Sequence, residues 1–337
     1  MWGSHKKLCH IFVMSDCYSG SVSRKSSAVL AILAPGQGAQ TPGFLAPWLT
    51  DDSIRAGLQT LSDVADVDLA HYGTDADADT IRQTDIAQPL LVAAGLLAAE
   101  ALLSDGPAAP DVVAGHSVGE ITAAAITGVL SPTEAMAFVA TRARGMAAAS
   151  NARPTSMMAV VGGVPDDVLA AIEAAGLTAA NNNGPGQIVA AGTVEQLAAL
   201  AANPPARARV IQLSVAGAFH TVHMQPAVAQ LDQLAATLSP SDPNTLLLSN
   251  ADGHVVDTGA DFLGRLVSQV GNPVRWDLCL NALADLGVTG ILELPPAGTL
   301  TGIAKRNLKG VALFNLNTPD QLPDAKAFVA EHAGGAA

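Results

Sequence analysis

The chain is expected to fold as an α/β protein built on a mostly parallel sheet, with a small ferredoxin-like subdomain inserted into it. Three observations predict this. Short apolar strands alternate with long helical stretches, the order produced when crossover helices join parallel strands. Between Thr155 and Val215 the order changes to βαββαβ, which is the ferredoxin-like unit. Finally, 337 residues of which 49% are hydrophobic and 14% charged exceed the usual size of one core while offering ample apolar surface to offset chain entropy.

Residues 1–27 mix His, Lys, Ser and Cys without sustained periodicity, and the apolar piece Ile11 to Met14 is too short for a signal-peptide core. A disordered extension is expected there, with Met14 a candidate internal start. Order begins with the strand-length apolar run Ala28 to Ala34, stopped by the loop signal Pro35-Gly36-Gln37-Gly38. A helix is expected over Ile86 to Leu103, then a Pro-rich loop, a short strand Val112 to Ala114 and a helix from Ser117 to about Leu130. Ser131-Pro132-Thr133-Glu134 reads as a capping box with proline in the first turn, opening a helix to about Ala149. The inserted unit reads strand (Met157 to Val161), helix (Asp166 to Ala175), strand (Leu177 to Ala180), strand (Gln187 to Ala191), helix (Val194 to Ala202) and strand (Arg209 to Val215). The large subdomain then resumes, ending with a strand over Gly290 to Leu294 and a helix containing Lys305 and Arg306. The expected boundaries are residues 28–154 and 216–325 for the large subdomain, 155–215 for the small one, and a flexible tail over 326–337.

Bulk composition narrows the function. A formal net charge of -13, from 17 basic and 30 acidic side chains, argues against nucleic acid, since phosphate binding needs concentrated positive charge. No stretch of about 20 apolar residues is free of Gly, Pro or charge, so no membrane span is expected. Cys9, Cys17 and Cys279 have no metal-ligand spacing and cannot all pair, so neither a metal site nor a disulfide framework is expected and the cytoplasm is the default compartment.

Gly115-His116-Ser117-Val118-Gly119 matches the G-x-S-x-G elbow, which exposes a serine on a sharp strand-to-helix turn. The bland reading is an ordinary turn, but a strand precedes and an Ala-rich helix follows, aiming backbone N–H groups at the serine. Serine needs a base. Of eight histidines, His5 and His10 fall in the extension, His71, His254 and His332 in polar contexts, and His116 should point to the other side of the turn. His220 and His223, just after the inserted unit, remain. Arg142 lies among Phe138, Val139, Gly145 and Met146 on an inward helical stripe, whereas Arg144 takes the milder face. A buried guanidinium is costly unless an anion meets it, either a protein Asp or Glu or the carboxylate of a substrate.

Together, Gly36-Gln37-Gly38, Gly115 through Glu120, Arg142, Ala218-Phe219-His220 and Asn272-Pro273-Val274-Arg275-Trp276 resemble the malonyl-CoA:acyl-carrier-protein transacylases over about Ala28 to Leu316. The resemblance implies an α/β-hydrolase-like large subdomain with a ferredoxin-like insert. It also implies a ping-pong transfer of malonyl from malonyl-CoA through Ser117 to the phosphopantetheine thiol of an acyl carrier protein, for fatty acid synthesis and without a cofactor. His220 would be the base, oriented by the backbone carbonyl of Gln269. Backbone N–H groups of Gln37 and Val118 would form the oxyanion hole, and Arg142 would hold the malonyl carboxylate. Phe219 and the small aliphatic Val118 resemble malonyl-selective patterns, and Asn181 and Asn183 match a loop lining the cleft in that family. Both substrates are anionic while this chain is acidic, so Arg275, Lys305, Arg306 and Lys309 are the candidate basic contacts. The rivals are a serine esterase or thioesterase, a discrete polyketide-type acyltransferase and a catalytically silent carrier-binding module. Against an esterase, such enzymes usually carry the histidine late, after an Asp.

Overall fold

A computed structural model of the chain describes residues 28–104 and 109–334. The expected extension at residues 1–27, the middle of the Pro-rich loop and the last three residues lie outside the described part. In chain order, β1 (Leu30–Ala34) leads through a loop to α1 (Asp52–Ala65), α2 (Leu69–Thr74) and α3 (Thr84–Leu103); β2 (Val112–Gly115) is followed by α4 (Gly119–Ile126) and α5 (Pro132–Ala152). The insert comprises β3 (Thr155–Gly162), α6 (Pro165–Ala174), β4 (Thr178–Asn182), β5 (Gln187–Thr193), α7 (Val194–Ala202) and β6 (Ala208–Gln212). Then come α8 (Gln225–Ala235), β7 (Leu246–Leu247), α9 (Gly259–Gln269), β8 (Val274–Arg275) and α10 (Trp276–Asp285), and finally β9 (Gly290–Glu293), α11 (Thr299–Asn307), β10 (Ala312–Asn315) and α12 (Leu322–His332).

The large sheet runs β10-β9-β1-β2-β7, every pair parallel. All five residues of β1 are buried, because helices cover both faces of a parallel sheet and its central strand therefore reads as a continuous apolar run. The small sheet runs β6-β3-β5-β4, every pair antiparallel, the arrangement a βαββαβ chain produces when each helix crosses one strand. A fifth strand was not foreseen. β8, which follows α9 of the large subdomain, pairs in parallel with β4 through Asn181↔Val274 and Asn182↔Arg275. Two residues give no periodicity to read, so sequence pattern could not reveal it.

Two expectations need correction, and one helix needs comment. The helix expected from Ser117 to Leu130 is only Gly119–Ile126, because Ser117 has φ 54° and Gly128 has φ 78°, both outside helical geometry. The expected flexible tail from residue 326 is helical to His332, with Ala325 and Val329 buried against the core and Phe328 packed on Phe314; a stripe of two small apolar residues is too weak a periodic signal to call. Lastly, α3 is long and apolar enough, at mean hydropathy 1.8, to cross a membrane, but 83% of that window is buried within the fold. It packs chiefly on α5, so the hydropathy belongs to a central core helix.

Candidate active site

Glycines build the elbow. A Cβ on Gly115 would lie 2.0 Å from the carbonyl carbon of Gly119, and one on Gly119 would lie 2.2 Å from the oxygen of Ala34. With hydrogen alone at both positions, β1, β2 and the start of α4 pack closely enough to turn Ser117 outward in the left-handed region. Such a residue costs about 1–3 kcal/mol and persists only where its surroundings hold it. Here Asn250 Oδ1 accepts the Ser117 N–H at 2.8 Å, and Gln269 Nε2 donates to the Ser117 carbonyl at 3.0 Å.

His220, also left-handed at φ 60°, reaches the serine from the turn after the insert. Its Nε2 is 2.7 Å from Ser117 Oγ and its Nδ1 is 2.9 Å from the main-chain oxygen of Gln269. A carbonyl can only accept, so the proton is assigned to Nδ1 and Nε2 is left to accept from the hydroxyl. Burial, reinforced by the nearby Arg142 charge, pushes the imidazole pKa down to about 3. The ring is therefore neutral, in the form a base requires. His223 lies in the turn Val222–Met224 and has no hydrogen bond to Ser117.

Arg142, 1% exposed, enters from α5. Its Nη1 donates to Gln88 Oε1 at 2.7 Å, and its Nη2 to Gln269 Oε1 at 2.8 Å and to Ser117 Oγ at 3.3 Å. Among the described residues no carboxylate lies within 4.0 Å of this guanidinium. Its partners are two neutral amides and the serine hydroxyl, which orient the fork and leave its charge unmatched. The nearest acid is Glu120, whose oxygens are taken by the Asn250 N–H at 2.6 Å and by Gln269 Nε2. Burial raises the Glu120 carboxyl to about 8 and lowers Arg142 to about 10, so the arginine stays charged at neutral pH. Arg144 is exposed and donates to the Ala65 carbonyl.

Ser117, His220 and Gln88 line a cavity of about 370 Å³ between the two subdomains, and Arg142 lies behind its wall, bonded to Gln88 and Ser117. Met146, Met157, Val189 and Phe219 form apolar wall, and Gln37, Asn181 and Asn183 line it. The N–H groups of Gln37 and Val118 have no acceptor among the described residues. His116 is not turned away behind the elbow: it lines the same cavity, 2.8 Å from Asn183 Oδ1 and edge-on to Trp276. The hairpin of β4 and β5 presents Asn183 at that spot, and the imidazole swings toward it. Of the basic candidates, Arg275 is not available as a free cation, since it is forked onto Asp277 at 2.9 and 2.7 Å. Lys305, Arg306 and Lys309 are exposed at the end of α11, whose first half lines the cavity through Thr299, Leu300 and Ile303.

Sequence reading missed Gln88 and Asn250. Gln88 carried a signal, a lone amide inside an otherwise apolar helix. Asn250, which binds Ser117 and donates to the Gly115 carbonyl at 2.7 Å, sits in a loop with none. Among the described residues there is no cluster of metal-ligating side chains.

Comparison with known proteins shows the family and the fold. The family model described as acyl transferase domain matches residues 33–326. The malonyl CoA-acyl carrier protein transacylase of Mycobacterium tuberculosis is 48% identical over 298 residues, covering 88% of this chain and 99% of the relative. The crystal structure of the Mycobacterium tuberculosis transacylase superposes with a TM-score of 0.85 at 47% identity, over 88% of this chain and 99% of that one. A malonyl-transacylase solved in complex with a type II PKS acyl-carrier protein superposes at 0.83 and 27% identity, over 89% and 99%. With a shared fold across nearly its whole described length and close to half its residues identical to such a relative, the chain belongs to the malonyl CoA-acyl carrier protein transacylases of the acyl transferase family.

Proposed function

We propose that this protein moves a malonyl group from malonyl-CoA to the phosphopantetheine thiol of an acyl carrier protein, in the cytoplasm, supplying fatty acid synthesis. One observation carries the choice of acyl group: a guanidinium buried without a carboxylate partner, 3.3 Å from the nucleophilic oxygen. A thioester whose acyl group ends in a carboxylate, one carbon beyond the reacting carbonyl, supplies the missing anion when that carbonyl sits over Ser117.

The cycle needs no cofactor, because exchange between a thioester and an ester is redox-neutral. His220 Nε2 takes the Ser117 proton as Oγ attacks the thioester carbonyl. Negative charge on the carbonyl oxygen is met by the N–H groups of Val118 and Gln37, where loss of one donor typically costs about 100- to 1000-fold in rate. Collapse breaks the C–S bond, and the imidazolium returns its proton to the departing coenzyme A sulfur. The carrier thiol then enters, gives its proton to His220 and attacks the acyl-serine, and Ser117 recovers its proton as it leaves. Phe219 crowds any branch next to the carbonyl, and Asn181 and Asn183 face the arm that both thiols share. The apolar wall keeps water from the ester.

Incubation with labelled malonyl-CoA, then with purified holo carrier protein, tests this. The expected result is a stable label on Ser117 that moves to the carrier thiol. Label released as free malonate would instead indicate a thioesterase, and no label a binding module.

A further inference from the structure

In the acyl-transfer reading above, Gln269 acts through its main-chain oxygen, which holds His220. Its side chain makes three more contacts. Oε1 accepts from Arg142 Nη2 at 2.8 Å, while Nε2 donates to the Ser117 carbonyl at 3.0 Å and to the Glu120 carboxyl. The amide can face only one way. A guanidinium has no acceptor, so the group facing it must be Oε1, and the group facing the Ser117 carbonyl must be Nε2. Glu120, held by the Asn250 N–H, places its other oxygen against Nε2, a contact compatible with that orientation.

The carbonyl of Ser117 and the N–H of Val118 belong to one peptide unit, which is planar with the two groups pointing in opposite directions. Fixing the carbonyl on the buried side therefore fixes the N–H on the cavity side. A hydrogen bond accepted by that carbonyl also polarises the peptide and strengthens its N–H as a donor.

We propose that the Gln269 side-chain amide is a positioning group that links the carboxylate receiver Arg142 to the peptide carrying the oxyanion donor. The inference rests on the acyl-transfer reading above. An acyl carboxylate seated on Arg142 then steadies the oxyanion donor through a single rigid amide, so acyl groups lacking it forfeit part of the rate as well as part of the binding.

The test is single-turnover acylation of Ser117 by malonyl-CoA and by acetyl-CoA. Gln269→Met keeps the main-chain oxygen and the side-chain length but removes the amide. The expected result is a fall of about 10- to 100-fold in the maximal acylation rate with malonyl-CoA, part of the cost of losing an oxyanion donor outright. The fall with acetyl-CoA is smaller, and the pH profile set by His220 is unchanged. An undiminished maximal rate overturns the proposal, and so does an equal loss with both thioesters. Gln269→Leu, which likewise keeps the main-chain oxygen and removes the amide, provides a second route should the first variant fail to fold. The same unequal loss is expected, and wild-type behaviour overturns the proposal. Failure of the wild-type protein to form acyl-Ser117 at all would sink the acyl-transfer reading instead, so the two failures are distinguishable.

Discussion

Arg142 is the most specific residue of the site, because its charge is buried directly behind the cavity wall and its hydrogen-bond partners are neutral. Charge-assisted hydrogen bonds contribute about 1.5–3 kcal/mol each, so Arg142→Ala should lower malonyl transfer at least about 100-fold more than acetyl transfer, read from the ratio of kcat/KM values. Equal losses on both would remove its role. His220 gives a second expectation at this scale. Its folded pKa lies far below the ordinary imidazole value, so lowering the pH through that value leaves it unprotonated. The acylation rate in kcat/KM, which reports the free enzyme, should stay flat from about pH 7, below the Glu120 transition at about 8, to about pH 5, where an unperturbed histidine would halve its activity near 6.5. In Arg142→Ala the cation that helps repel the proton is gone, and the acid limb should move upward.

Among the elements, the turn between β2 and α4 carries the chemistry, and its glycines are steric necessities. Gly119→Ala forces a Cβ against the Ala34 carbonyl; overpacking of this kind costs about 1–3 kcal/mol or more. It should appear as a lowered urea midpoint together with lost acylation, and a variant with an unchanged midpoint would contradict the packing described. The elbow, the capping box of α5 and the alternation of the insert were legible because each is a local rule: residue types at fixed spacing that demand one backbone shape. The box is present as read, with Ser131 and Glu134 each holding the other's backbone N–H. What escaped sequence reading depends on distance in the chain. Gln88 and Asn250 matter through bonds spanning 54 and 133 residues, and β8 exists only because β4 offers it an edge. Arg142 was legible as buried, because its neighbours one turn away are apolar, but not as unneutralised, because that depends on where every carboxylate in the fold ends up.

At the scale of the whole molecule, a chain with net charge -13 must attract two anionic partners. Lys305, Arg306 and Lys309 are exposed on and beyond the last turn of α11, the helix whose first half lines the cavity. Reversing all three to Glu should raise KM for the carrier protein at least about tenfold at low salt. It should also flatten the dependence of KM on ionic strength, because exposed charges act within a Debye length of about 10 Å at 0.1 M. An unaltered KM would place the docking surface elsewhere. Burial of α3 has a comparable reach, since it shows that the most hydrophobic helix serves as the axis around which α4, α5 and α12 pack.

The pairing of β8 with β4 ties the two subdomains by main chain as well as by packed side chains. Because β8 begins five residues after Gln269 and its partner Asn181 stands on the cavity wall, any widening of the cleft must first stretch this two-residue ladder. Exchange of its amide protons with heavy water would thus be a gauge of cleft aperture, quickening before either subdomain loosens its own interior.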